Sequence, residues 1–279
     1  MNWTLTTGRT KLDRMDLSGI HVPLITPFDA DGAVAYPVLE RLAQDIHRAG
    51  ARPLALGTTA EAGSLTDAER RDVLAVLAQA EIVGANTAEQ LRQARHARAA
   101  LTLVPPFVRP GEEGVVRHFA ALAAGSPIPL IVYHVPARTG QQLGPDTIRR
   151  LAAIDGVIGI KYATGVIDAG LVGLLADPPD GFAILCGDDV LLAPMLAMGA
   201  PGGILASAHL ATERFVRFHG ERDPAEGHRL ARLSQALFAQ PNPTVVKAAL
   251  HAAGRIPTPG VRLPLLPAAP PSFYGSLVE

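Results

Sequence analysis

Short apolar runs and amphipathic stretches alternate eight times between Gly19 and about residue 220. The apolar runs fall at 20–25, 53–56, 81–85, 101–104, 130–133, 157–160, 182–185 and 203–205. Helix-like segments near 36–49, 66–80, 87–99, 112–124, 145–153, 167–176, 189–199 and 209–220 separate them or follow the last. Parallel strands need a long crossover between them and bury both faces, so they read as continuous apolar runs divided by helices. Eight such units favour a (β/α)8 TIM barrel, an α/β fold in which 279 residues suffice for one barrel. Two local signatures fix helix starts. Thr66 with Glu69 three residues later is a capping box, and Pro145 before Asp146 suits a first helical turn.

Strand signals stop after residue 223. Residues 225–239 and 244–253 read as two further helices, divided by Pro241-Asn242-Pro243. The expected division is an N-terminal extension over 1–16, the barrel over 17–223 and a small C-terminal helical extension over 224–279. The first residues are polar and lack an apolar signal core, and no apolar run approaches the roughly 20 residues that span a bilayer. A formal net charge of −1 without long single-sign runs argues against a nucleic-acid footprint or a polybasic membrane patch. One cysteine, Cys186, excludes an intrachain disulfide and fits a reducing cytoplasm. There is no GxGxxG after the first strand, no Walker A sequence and no HExxH, so neither a nucleotide cofactor nor a metal is expected.

Of 25 basic residues, 22 are arginines, and the lysines are Lys11, Lys161 and Lys247. Arginine cannot do amine chemistry, so a lysine ending the apolar run 157–160 stands out. Desolvation there favours a neutral amine that attacks a ketone to give an imine, an electron sink. The plainer reading of Lys161 is an amine reaching water or pairing with Asp188. Barrel enzymes carry their chemistry at the strands' C-terminal ends, which brings further residues into view. Tyr133 ends the fifth strand and could shuttle a proton, although tyrosine is common in cores. Thr58 and Thr59, in the turn Gly57-Thr58-Thr59-Ala60-Glu61, offer hydroxyls and amides for a small carboxylate; such turns also occur for tight bends alone. Arg138 could clamp a second carboxylate or simply sit on an arginine-rich surface. Asp188 and Asp189 read as helix caps, and Cys186 as a small core residue.

With these residues located, the chain resembles the dihydrodipicolinate synthase/N-acetylneuraminate lyase family of pyruvate-dependent aldolases. The resemblance runs from Gly19 to about Pro267. It rests on Pro23–Phe28, Gly57–Glu61, Tyr133–Gly140, Gly159–Lys161 with Ala163-Thr164-Gly165, Gly187-Asp188-Asp189, and Pro241-Asn242-Pro243 with Val246-Lys247. It implies Lys161 as Schiff-base residue, Tyr133 as proton shuttle and Thr58 in the relay. Thr59 with nearby amides, Ala60 among them, would hold the pyruvate carboxylate, and Ile204 would floor the pocket. Arg138 resembles the synthase branch, where it binds the aldehyde's carboxylate; the activity implied is condensation of pyruvate with aspartate semialdehyde. No cofactor is implied, and the expected assembly is a homo-oligomer, dimer or tetramer.

Four positions depart from the family pattern. Ala60 replaces a glycine, His134 an asparagine and Tyr162 a glutamate, while Phe107 stands where a tyrosine reaches into a neighbouring subunit and completes the relay. Phe107 cannot pass a proton. These departures keep two alternatives open: a related 2-oxo-acid or sugar-acid aldolase or dehydratase, and a weakly catalytic paralogue that only binds 2-oxo acids.

Overall fold

The computed structural model describes residues 15–269. The expected extension over 1–16 lies almost wholly outside the described residues. Eight parallel strands close into a barrel in the order β1 to β8, with β1 paired to β8. They are β1 Gly19–Pro23, β2 Arg52–Ala55, β3 Ile82–Gly84, β4 Ala99–Leu103, β5 Leu130–His134, β6 Val157–Tyr162, β7 Ala183–Cys186 and β8 Gly202–Ile204. The crossovers carry α1 Tyr36–Arg48, α2 Asp67–Val76, α3 Ala88–Gln93, α4 Gly111–Gly125, α5 Pro136–Thr139, α6 Pro145–Ala152, α7 Ala169–Ala176 and α8 Leu192–Ala197. After β8 come α9 Thr212–Glu221, α10 Pro224–Leu237 and α11 Thr244–Ala252. Closure is tight: a side chain on Gly202 would lie 2.0 Å from the Gly19 carbonyl oxygen.

Both helix-start signatures are present. The Thr66 hydroxyl accepts from the Glu69 amide while the Glu69 carboxylate accepts from the Thr66 amide, and Pro145 occupies the first turn of α6. The helix expected over 87–99 is shorter. It ends at Gln93, and the alanines at 99 and 100 enter β4 instead. Both are buried, one among the residues filling the barrel and one under the helices, so packing overrides alanine's helix preference. The four-residue α5 had no periodic signal to find, being a single turn.

The strand period sorts side chains into two cores. One fills the barrel and includes Leu54, Ile82, Leu101, Ile131, Tyr133, Leu185 and Ile204. The other lies between sheet and helices and includes Leu130, Val132, Ile160, Tyr162 and Cys186. Among the described residues, no helix is long and apolar enough to cross a membrane.

Candidate active site

On β5 and β6 the inward face carries chemistry. Tyr133 and Lys161 are directly paired in the ladder, and the lysine Nζ lies 4.5 Å from the centroid of the tyrosine ring. Their exposures are 7% and 6%, so both groups are almost wholly buried at the strands' C-terminal ends. The expected alternative for Lys161, an ion pair with Asp188, is not formed. The Asp188 carboxylate accepts instead from the Gly165 amide at 2.7 Å. Ile204, fully buried on β8, packs in the same inner cluster as Tyr133.

Room for the lysine stem depends on Gly187. A Cβ there would stand 2.8 Å from the Tyr162 carbonyl oxygen and 2.9 Å from Lys161 Cγ. The Gly187 amide donates to that same carbonyl at 2.8 Å, so the backbone cannot retreat without breaking the strand end. Gly187→Ala should therefore displace the amine and slow imine formation about 100-fold, the scale of an ångström of misplacement. The check is the rate of borohydride-trapped pyruvate adduct, and a rate within about threefold of the unsubstituted protein would refute the steric argument.

The two aspartates after β7 are not helix caps, contrary to expectation. Asp188 occupies the position before the short turn Asp189–Leu191 but makes no side-chain cap there. They tie loops together: Asp188 to the loop after β6, and Asp189 to the loop after β8 through the Ser207 amide at 2.6 Å. Burial pushes the Asp189 carboxyl up to about 6, against the bonds from Ser207 and the charge of Lys161. Burial likewise raises the Asp188 carboxyl. Cys186 is fully buried, and burial raises its thiol far above the usual range, consistent with a core residue.

The turn after β2 lies at the same end of the barrel as these two groups. Thr58–Ala60 form one tight helical turn, with Thr58 half-buried and Thr59 and Ala60 buried. The Ala60 and Glu61 amides close the turn onto Gly57 and Thr58 carbonyls at 3.0 and 3.1 Å. The Thr58 and Thr59 amides stand ahead of those bonds. The left-handed residue is Glu61, at φ 53°, and not Ala60. Replacing the family's glycine by Ala60 therefore does not place a side chain on left-handed backbone.

Four contacts from distant parts of the chain hold this turn. Thr26 donates its hydroxyl to the Ala60 carbonyl at 2.7 Å. Asn242 donates Nδ2 to Thr59 Oγ1 at 2.8 Å. Lys247 Nζ donates to Glu61 at 2.7 Å, an ion pair whose side chains are 0% and 2% exposed. The other Glu61 oxygen accepts from the Arg262 amide at 2.7 Å, and the Lys247 amine and the Arg262 guanidinium lie 4.1 and 4.5 Å from the centroid of the Phe28 ring. Burial lowers the Lys247 amine to about 8 despite the neighbouring carboxylate. Motif membership of all these residues except Arg262 was visible in sequence, but not the contacts themselves, because they join residues up to 234 positions apart.

The remaining candidates lie outside this inner cluster. Arg138 lies on α5, directly after β5; it is exposed and forms no ion pair with a described residue. His134 and Tyr162 are paired across β5 and β6, one residue out of phase with the catalytic candidates, and face the helices. Their rings meet edge-on at 5.5 Å, and burial depresses His134 to about 4. These two departures thus repack the outer layer as a pair and do not line the cavity. Phe107 is different. It is 88% exposed, next to exposed Val108 and at φ 70°, a conformation costing a bulky residue about 1–3 kcal/mol.

Comparisons with known proteins identify the family. Residues 16–271 match the sequence model of the dihydrodipicolinate synthetase family. A 4-hydroxy-tetrahydrodipicolinate synthase 2 of Clostridium acetobutylicum is 31% identical over 275 residues, covering 91% of this chain and 96% of that protein. The solved chloride-inhibited dihydrodipicolinate synthase of Acinetobacter baumannii, complexed with pyruvate, is 32% identical with a TM-score of 0.83, covering 94% of this chain and 96% of that one. A structure described as the first monomeric dihydrodipicolinate synthase variant superposes with a TM-score of 0.85 at 28% identity, covering 95% of each chain.

Proposed function

This chain belongs to the dihydrodipicolinate synthetase family, and from that premise we propose that it condenses pyruvate with aspartate semialdehyde through a Schiff base on Lys161. It is a lyase of the class I aldolase type. The observation that carries the residue assignment is the Tyr133–Lys161 pair, an amine and a phenol side by side on the inward face of a barrel end.

The amine of Lys161 adds to the pyruvate ketone, and the carbinolamine loses water as Tyr133 delivers a proton to the departing hydroxyl. The resulting imine releases a methyl proton to give an enamine, whose carbon adds to the aldehyde. Water or the acceptor's own amine then displaces Lys161. Thr59 and the amides of its turn hold the pyruvate carboxylate, Thr58 joins the proton relay, and Ile204 floors the cavity. The test is borohydride reduction with pyruvate followed by peptide mass spectrometry, then turnover with aspartate semialdehyde. A reduced adduct on the Lys161 peptide together with turnover supports the reading; absence of adduct from folded protein ends it.

Arg138 on α5 has an exposed guanidinium with no ion-pair partner among the described residues, which suits the acceptor's carboxylate. Arg138→Ala should lower kcat/KM for aspartate semialdehyde about 100-fold while leaving the pyruvate adduct unchanged. Equal loss with both substrates would remove Arg138 from acceptor binding.

Phe107 favours a second outcome. Without a hydroxyl at that tip, the protein could bind 2-oxo acids and turn over slowly or with another aldehyde; an adduct that no aldehyde discharges would establish this. The exposed Phe107-Val108 tip also supports a homo-oligomer, since a second copy burying it would offset its backbone strain.

A further inference from the structure

Thr59 receives a hydrogen bond from a residue 183 positions away, Asn242. The nitrogen of that amide faces the hydroxyl at 2.8 Å, while Oδ1 is buried without a partner among the described residues. The carrier turn is fixed on both sides. Thr244 donates its hydroxyl to the Pro241 carbonyl at 2.8 Å, and the Lys247 amide donates to the Pro243 carbonyl at 2.9 Å.

A hydroxyl has one proton to give and two lone pairs to receive. Because the amide nitrogen can only donate, it occupies a lone pair of Thr59 Oγ1 and leaves the threonine's own proton free. With the amide oxygen in that place the proton would go to Asn242, and the hydroxyl would turn only lone pairs toward an incoming anion. A carboxylate accepts and never donates, so the first arrangement attracts it and the second repels it.

We propose that Asn242 is a positioning residue that aims the Thr59 hydroxyl proton at the carboxylate of the bound 2-oxo acid. This rests on the reading of Thr59 given under the proposed function. It also gives the segment after the barrel a place in the site: α11 and the turn before it set the polarity of a hydroxyl on the far side of the sequence.

Asn242→Asp tests this, because aspartate keeps the shape and replaces the donor by an acceptor. In the full-length protein it should raise the pyruvate concentration that half-saturates the trapped Lys161 adduct about 20-fold, the scale of one charge-assisted hydrogen bond. Adduct yield at saturating pyruvate should stay within about threefold. Asn242→Ala frees the hydroxyl to rotate and should shift half-saturation about threefold. Thr59→Val should resemble the aspartate variant, and combining the two should add less than about twofold, since one contact is lost twice. A purely structural role would lower Tm and adduct yield together without moving half-saturation. Unchanged half-saturation in either folded Asn242 variant, or full additivity with Thr59→Val, overturns the assignment and leaves the Lys161 chemistry standing. Absence of adduct from the unsubstituted protein removes that chemistry itself.

Discussion

Replacing Lys161 by alanine is expected to abolish the borohydride-trapped pyruvate adduct and to lower kcat by at least about 10⁴-fold, as for other residues whose loss removes the covalent step. Alanine leaves the barrel wall intact: Lys161 forms no ion pair among the described residues, and its neighbours in the ladder are bonded through the backbone. Tm should therefore change little compared with activity. Lys161→Arg sharpens the test. Arginine supplies a fixed positive charge on a similar aliphatic stem beside Tyr133, yet its guanidinium stays protonated and forms no imine. If charge near Tyr133 were what mattered, arginine would retain activity; if the nucleophilic amine matters, both variants are equally dead. Adduct on another peptide, or turnover in the arginine variant above about 1% of the original, would contradict the assignment.

This lysine was legible because so few lysines compete with it and because the run before it has the length of a buried strand. The barrel was legible for a related reason. Eight strand–helix units leave a repeated pattern, and the period-2 alternation separates Tyr133 and Lys161 from their neighbours on the other face. The same alternation, carried one residue further, already placed His134 and Tyr162 outside the cavity; counting them as departures near the site ignored the face they occupy. What could not be read was any contact across the barrel's end. Nothing local to Asp188 and Asp189 distinguishes a cap from a tie between loops, since both roles begin with a carboxylate near a backbone amide. Asn242 and Thr59 meet only because α11 folds back over the β2 end, a tertiary fact with no sequence period. The left-handed position in the turn is one residue later than the glycine pattern suggested, at Glu61, and it is the bonds to Glu61 that reveal why.

Those bonds make the second large effect. Lys247→Met is expected to destabilise the fold by about 3–5 kcal/mol, roughly 10 °C in Tm, by leaving the Glu61 carboxylate buried without its cation. Glu61→Gln should cost less. Lys247 already has its amine lowered to about 8 by burial with the carboxylate helping to keep the proton; without that help the amine can shed it and stay buried neutral. The double variant should recover most of the loss, because a methionine and an amide leave no isolated charge. The sign of the pH dependence follows. In the folded Glu61→Gln protein the amine titrates below its present value near 8, whereas in the unfolded chain it keeps its ordinary value of 10.5. Between those values the unfolded state binds more protons, so stability must rise with pH, by up to about 1.4 kcal/mol per unit. From pH 7 to 8 the unsubstituted protein gains little from this group, which is only half deprotonated at pH 8, and the glutamine variant gains more. Urea midpoints at pH 7, 8 and 9 would show the divergence. A flat difference between the two proteins, or equal costs for the two single variants, would mean that the pair is held by its packing around Phe28 and not by the charge on either partner.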